Sequence, residues 1–120
     1  MNDPTTTIAD LRTRMRAFNE ARDWGQYHCP RNLAMALSAE AGELLALYLW
    51  CEDQGPQPRV ASRDDKVPEE IADVAICLLN LCEAAGVDLS QAVEAKLAKN
   101  EAKYPVEKVR GRMEKYDEYG

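Results

Sequence analysis

Between Thr5 and about Asp23 the apolar residues Ile8, Leu11, Met15 and Phe18 recur three or four positions apart, a spacing that lays them along one face of a helix. The threonines before them suit a helix cap. Trp24 to Cys29 then forms a short aromatic link bounded by Gly25 and Pro30. From Arg31 to about Cys51 the chain is rich in Ala and Leu and has no proline, which predicts a second helix. Glu52 to Val67, with Gly55, Pro56, Pro58 and a set of charges, reads as a loop. Pro68 suits the first residue of a third helix, Glu69 and Glu70 complement its dipole, and Gly86 stops it after Ala85. A fourth helix begins near Asp88 to Ser90, carries Leu89, Val93 and Leu97, and ends at Pro105. With no strand-like alternation or repeat, the pattern predicts an all-α chain: a four-helix bundle forming one domain over residues 1–105, followed by a charged, tyrosine-rich tail over residues 106–120.

Composition narrows what such a bundle does. One domain suits a chain of 120 residues, 46% of them hydrophobic. The formal net charge is −6 and the basic residues are scattered, so a broad phosphate-binding surface for nucleic acid is not expected. No apolar stretch approaches the roughly 20 residues needed to cross a bilayer, and Met1 to Thr7 is polar, so no membrane association is expected and a cytoplasmic location is. Cys29, Cys51, Cys77 and Cys82 form no CxxC pair and read as buried, reduced thiols.

Two acidic pairs break the usual rule that charge lies on the solvated face. Glu40 and Glu43 stand among small and apolar residues from Leu37 to Leu45, and their i, i+3 spacing puts them on one side of the second helix. Glu70 and Asp73 repeat the spacing on the third, and Asp73 leads into Val74-Ala75-Ile76-Cys77-Leu78-Leu79, which reads as an almost wholly buried run. Four carboxylates from two facing helices repel one another unless a cation is shared, and an all-oxygen set suits magnesium or manganese better than zinc. Acidic pairs at this spacing also occur on solvated faces, and Glu70 on its own complements a helix N-terminus.

The elements Glu40-Ala41-Gly42-Glu43 and Glu70-Ile71-Ala72-Asp73 on adjacent helices resemble the metal-binding motif of the MazG-type all-α nucleoside triphosphate pyrophosphohydrolases. Arg22-Asp23-Trp24 leading to His28, then Pro30-Arg31-Asn32-Leu33, Trp50 and the stretch from Lys99-Asn100 to Lys103-Tyr104-Pro105 look like the dCTP pyrophosphatase branch, a likeness running from about Met15 to Arg110. It departs from the branch at Cys77 and Met15, where some relatives carry tyrosine and histidine.

The resemblance implies hydrolysis of dCTP, and of modified dCTP, to dCMP and pyrophosphate, a nucleotide-pool housecleaning role. It also implies magnesium on Glu40, Glu43, Glu70 and Asp73, with manganese as a substitute, and a homodimer or homotetramer with the active site near subunit contacts. Any one of the four carboxylates, or Glu69, would serve as general base, with Glu43 the first choice. Lys96, Asn100 and Lys103 recur along one side of the fourth helix and, with Tyr104, match positions facing phosphate; without the resemblance they read as a solvated face. Trp24 and Trp50 suit stacking on a base, although core packing is the common use of tryptophan, and His28 suits the base edge or sugar, although a lone histidine is more often structural. Two other functions remain open: a hydrolase of many nucleoside triphosphates, and a non-catalytic helical interaction module.

Overall fold

The computed structural model describes residues 1–49 and 66–112, and the described residues are all-helical. The elements are α1 (Ile8–Ala21), a 3-10 turn (Gly25–Tyr27), α2 (Pro30–Ala46), α3 (Val67–Ala85), α4 (Leu89–Lys103) and the single turn α5 (Val106–Val109). They fall into two compact units, Met1–Val87 and Asp88–Gly120.

In the first unit, α1 begins at a reciprocal cap. The Thr7 hydroxyl accepts from the Asp10 backbone N–H at 3.0 Å, and the Asp10 carboxylate accepts from the Thr7 N–H at 3.0 Å, which satisfies two donors the helix cannot use itself. Past its end, Asp23 takes a left-handed φ of 52° and turns the chain into the aromatic link. There the Trp24 ring meets Phe18 edge-on, with centroids 5.6 Å apart, while the Arg22 guanidinium lies 3.6 Å over the Phe18 ring.

The second helix starts at Pro30, whose missing N–H falls where a helix start needs none. It continues through tightened turns at Leu47, Tyr48 and Leu49. Trp50, Cys51 and nearly all of the predicted loop lie outside the described residues, and Val67, placed in that loop by the sequence reading, is the first residue of α3. Gly86 closes α3 at φ 68°, the left-handed conformation a side chain resists, and the Val87 N–H returns to the Cys82 carbonyl at 2.9 Å.

α2 packs along α3, and α1 joins α3 more narrowly. Among the described residues Leu33, Leu79 and Cys82 are the buried apolar ones, each about 5% exposed. The run after Asp73 is therefore less buried than the sequence suggests, because α1 and α2 cover only part of the circumference of α3 and leave Ile76 about half exposed, like Ile71 ahead of the run. Cys29 is likewise exposed, in the link ahead of α2, whereas Cys77 is half-buried; all three described cysteines are free.

In the second unit the Asp88 carboxylate caps α4 by accepting from the Gln91 N–H at 2.9 Å. Pro105 ends that helix and opens α5, so the expected tail begins as one helical turn; residues 113–120 lie outside the described set.

Candidate active site

The pairing of α2 with α3 brings together carboxylates far apart in sequence. Oxygens of Glu40, Glu43 and Glu70 all lie within 4.8 Å of one another. Asp73, one turn beyond Glu70 and offset around the helix, stands outside this trio, but its charge acts on both Glu40 and Glu70. Glu43 is exposed, whereas Glu40 and Glu70 are half-buried, and the inner oxygen Oε2 of each is shielded from solvent and meets no hydrogen-bond donor.

Such crowding resists ionisation. The pKa of Glu40 is raised first by its contact with Glu43, which becomes a hydrogen bond only when one of the two carboxyls is protonated, and then by burial and the surrounding negative charges. That of Glu70 is raised by burial and then by Glu43 and Asp73. The same surroundings push up the Cys77 thiol, through burial and then through Glu40 and Asp73, which keeps it protonated and a poor ligand or nucleophile at neutral pH. Shielded oxygens without donors, all carboxylate in type, are what a hard divalent cation satisfies, so this cluster fits such an ion.

Two adjoining cavities share Met15, Asn19, His28 and Asn80. One, of about 220 Å³, is walled by Phe18, Trp24 and Ile76. The other, of about 390 Å³, carries Arg12, Arg16 and Glu83. Glu83 holds α1 against α3 by accepting from Arg16 at 2.6 and 3.0 Å and from Arg12 at 3.4 Å, and Arg12 also donates to the Val87 carbonyl at 2.7 Å. The Arg16 hydrogen bond holds the Glu83 carboxyl below its ordinary range. Between the cavities the Asn19 side-chain amide donates to the Asn80 side-chain oxygen Oδ1 at 3.0 Å.

Trp24 and His28 thus line one pocket together, and Met15 lines it with them. Lys96 and Lys103 are exposed on α4, and Asn100 and Tyr104 are half-buried there, in the other compact unit. The sequence reading overlooked Asn19 and Asn80. The signal was present: Asn80 interrupts the apolar run Leu78-Leu79-Asn80-Leu81, and Asn19 follows Met15 by four on the apolar stripe of α1.

A model of the MazG-like family matches residues 35–119. The chain belongs to the MazG-like family. This MazG-like chain is 41% identical over 115 residues to dCTP pyrophosphatase 1 of Mus musculus, covering 94% of the chain and 68% of that protein. Its identity to dCTP pyrophosphatase 1 of Homo sapiens is 39% over 117 residues, covering 96% and 69%. The chain therefore spans about two thirds of the length of these relatives. Among solved structures, a pyrophosphatase from Archaeoglobus fulgidus DSM 4304 superposes with a TM-score of 0.76 at 39% identity, over 88% of this MazG-like chain and 98% of the other.

Proposed function

We propose that this chain is a nucleoside triphosphate pyrophosphohydrolase that converts dCTP, and modified dCTP, to dCMP and pyrophosphate. The observation that carries the reading is the trio Glu40, Glu43 and Glu70, with two shielded oxygens that no donor satisfies. The named relatives act in the same sense: two are dCTP pyrophosphatases and the solved neighbour is a pyrophosphatase.

Glu40, Glu43, Glu70 and Asp73 would hold magnesium, with manganese as a substitute. When bound, the ion offsets the charge of the triphosphate and polarises its phosphoryl oxygens. Glu43, the exposed member of the trio, takes the proton of the attacking water on an oxygen that the ion leaves uncoordinated. The water oxygen bonds to the α-phosphorus, the bond to the oxygen bridging α and β breaks, and pyrophosphate leaves with the electron pair. Trp24 stacks on the base and His28 meets its edge or the sugar, both lining the aromatic-walled cavity. Trp50 is assigned to the base, and Lys96, Asn100, Lys103 and Tyr104 to the phosphates, on the family pattern. We assign residues 1–105 to one functional domain that works as a homodimer or homotetramer, clearing unwanted nucleotides from the cytoplasmic pool.

The test is release of pyrophosphate and nucleoside monophosphate from a panel of triphosphates, with magnesium and with chelator. Metal-dependent release led by dCTP is expected. Equal release from all triphosphates would keep the hydrolase and discard the substrate. No release would leave the carboxylates in a non-catalytic interaction module. Glu43→Ala and Asp73→Ala should each lower turnover by at least about a hundredfold while the helical circular dichroism is retained; turnover near that of the parent would remove the cluster from the mechanism.

A further inference from the structure

We propose that Asn19 and Asn80 form a paired-amide reader of the base edge, so that these two carboxamides, and not the aromatic wall, set which base is accepted. The inference rests on the nucleotide reading above and adds to it the groups that discriminate.

The aromatic and apolar lining of the smaller cavity, Phe18, Trp24, Ile76 and Met15, offers faces and methyl groups, which grip any base without distinguishing one from another. His28 and Arg14 line the cavity as well, and the two amides add a paired acceptor and donor. Because Asn19 Nδ2 donates to Asn80 Oδ1 at 3.0 Å in a part-buried setting, Asn19 keeps its own oxygen as an acceptor and Asn80 keeps its NH₂ as a donor. An acceptor beside a donor complements the amino group and adjacent ring nitrogen of cytosine. Uracil and thymine present a carbonyl and a ring N–H at the same positions, in the opposite sense. A lone carboxamide can rotate to suit either. The bond between these two couples them, since turning one alone would set NH₂ against NH₂ or oxygen against oxygen, and the order reverses only when both amides turn together.

Placement agrees. On α3, Asp73, Ile76 and Asn80 follow at i, i+3 and i+7 and so share a face. Seven residues of helix span about 10 Å, the scale of a nucleoside between its 5′ phosphate and the far edge of its base. On α1, the Asn19 carbonyl accepts from the Trp24 backbone N–H at 3.1 Å, which ties the stacking residue to the turn that carries the amide.

The experiment compares kcat/KM for dCTP and dUTP in the full chain with magnesium, for the parent, Asn80→Leu and Asn19→Ala. The second variant removes atoms on an open cavity and so guards against a failure of the first to fold. Each should lower the dCTP to dUTP ratio by about tenfold or more. A ratio within about twofold of the parent's, with a lowered melting temperature, would overturn the proposal and leave the amides as a clamp between α1 and α3. A parent that prefers a different base, with that preference lost in both variants, would discard the dCTP reading and sustain the reader. A parent indifferent to the base would overturn both. If the parent releases no pyrophosphate, the affinity ratio for dCMP over dUMP replaces the rate ratio, with the same expected and overturning results.

Discussion

At the scale of single residues, this chain carries a deliberate conflict. Glu40 and Glu70 bind protons more tightly in the folded state than at the ordinary value of 4.5, because neighbouring carboxylates and burial oppose their ionisation. Their contribution to stability is therefore fully present below that value and is lost as the pH rises through the raised ones. Glu83 runs the other way. Held down by Arg16, it contributes above 4.5, and that contribution disappears as the pH falls through its lowered value. Thermal melting of the metal-free chain should thus show a melting temperature that declines as the pH rises above 4.5, with magnesium reversing the decline. A flat profile over that range would mean that the two glutamates titrate as isolated carboxylates. Glu40→Gln removes one of the repelling charges, so it should raise the metal-free melting temperature while lowering turnover by at least about a hundredfold. A fall in the melting temperature would show that the ionised cluster is not under tension.

Among the elements, helix ends were the most legible part of the sequence, because their rules are local. Pro68, Gly86 and Asp88 stand where Pro, Gly and Asp stand at helix ends generally. Gly86→Ala should destabilise the fold by about 1–2 kcal/mol in denaturant melts, since an added Cβ meets no atom within 4 Å and the effect is one of backbone conformation alone. A neutral result would mean that the αL turn relaxes without loss. Local rules also fail in characteristic ways. The four residues of α5 follow a proline in a charged stretch without apolar periodicity, so nothing in the pattern marked them as a helix. The apolar run of α3 looked buried because hydropathy records composition, whereas burial depends on how much of a helix its neighbours cover. The acidic pairs were legible through their spacing together with their apolar neighbours in sequence; the amide pair needed the crossing of α1 and α3, which the pattern along one helix does not encode.

For the molecule as a whole, the notable quantity is the apolar surface left uncovered. Met35 and Leu45 on α2 are each about 60% exposed, and Ile71 and Ile76 on α3 are about half exposed. Surfaces of this kind are commonly buried by association, and the proposed homo-oligomer would bury them. The melting temperature should accordingly rise with protein concentration, and Met35→Lys combined with Leu45→Lys should shift sedimentation toward the monomer. Concentration-independent melting of a monomeric parent would remove self-association from the reading. Among the described residues no helix is long and apolar enough to cross a membrane.

The third helix carries carboxylates near its start and Asn80 two turns after Asp73, all in one unbroken rod. A rod of this kind works as a gauge: its length is set by backbone hydrogen bonds and is indifferent to the side chains between the marks. Substitutions at either end can then retune chemistry or recognition separately. A single inserted residue between Asp73 and Asn80 would rotate one end against the other by about 100° and lengthen the span by about 1.5 Å. Length variation in this segment should therefore be far less tolerable than exchange of residues within it.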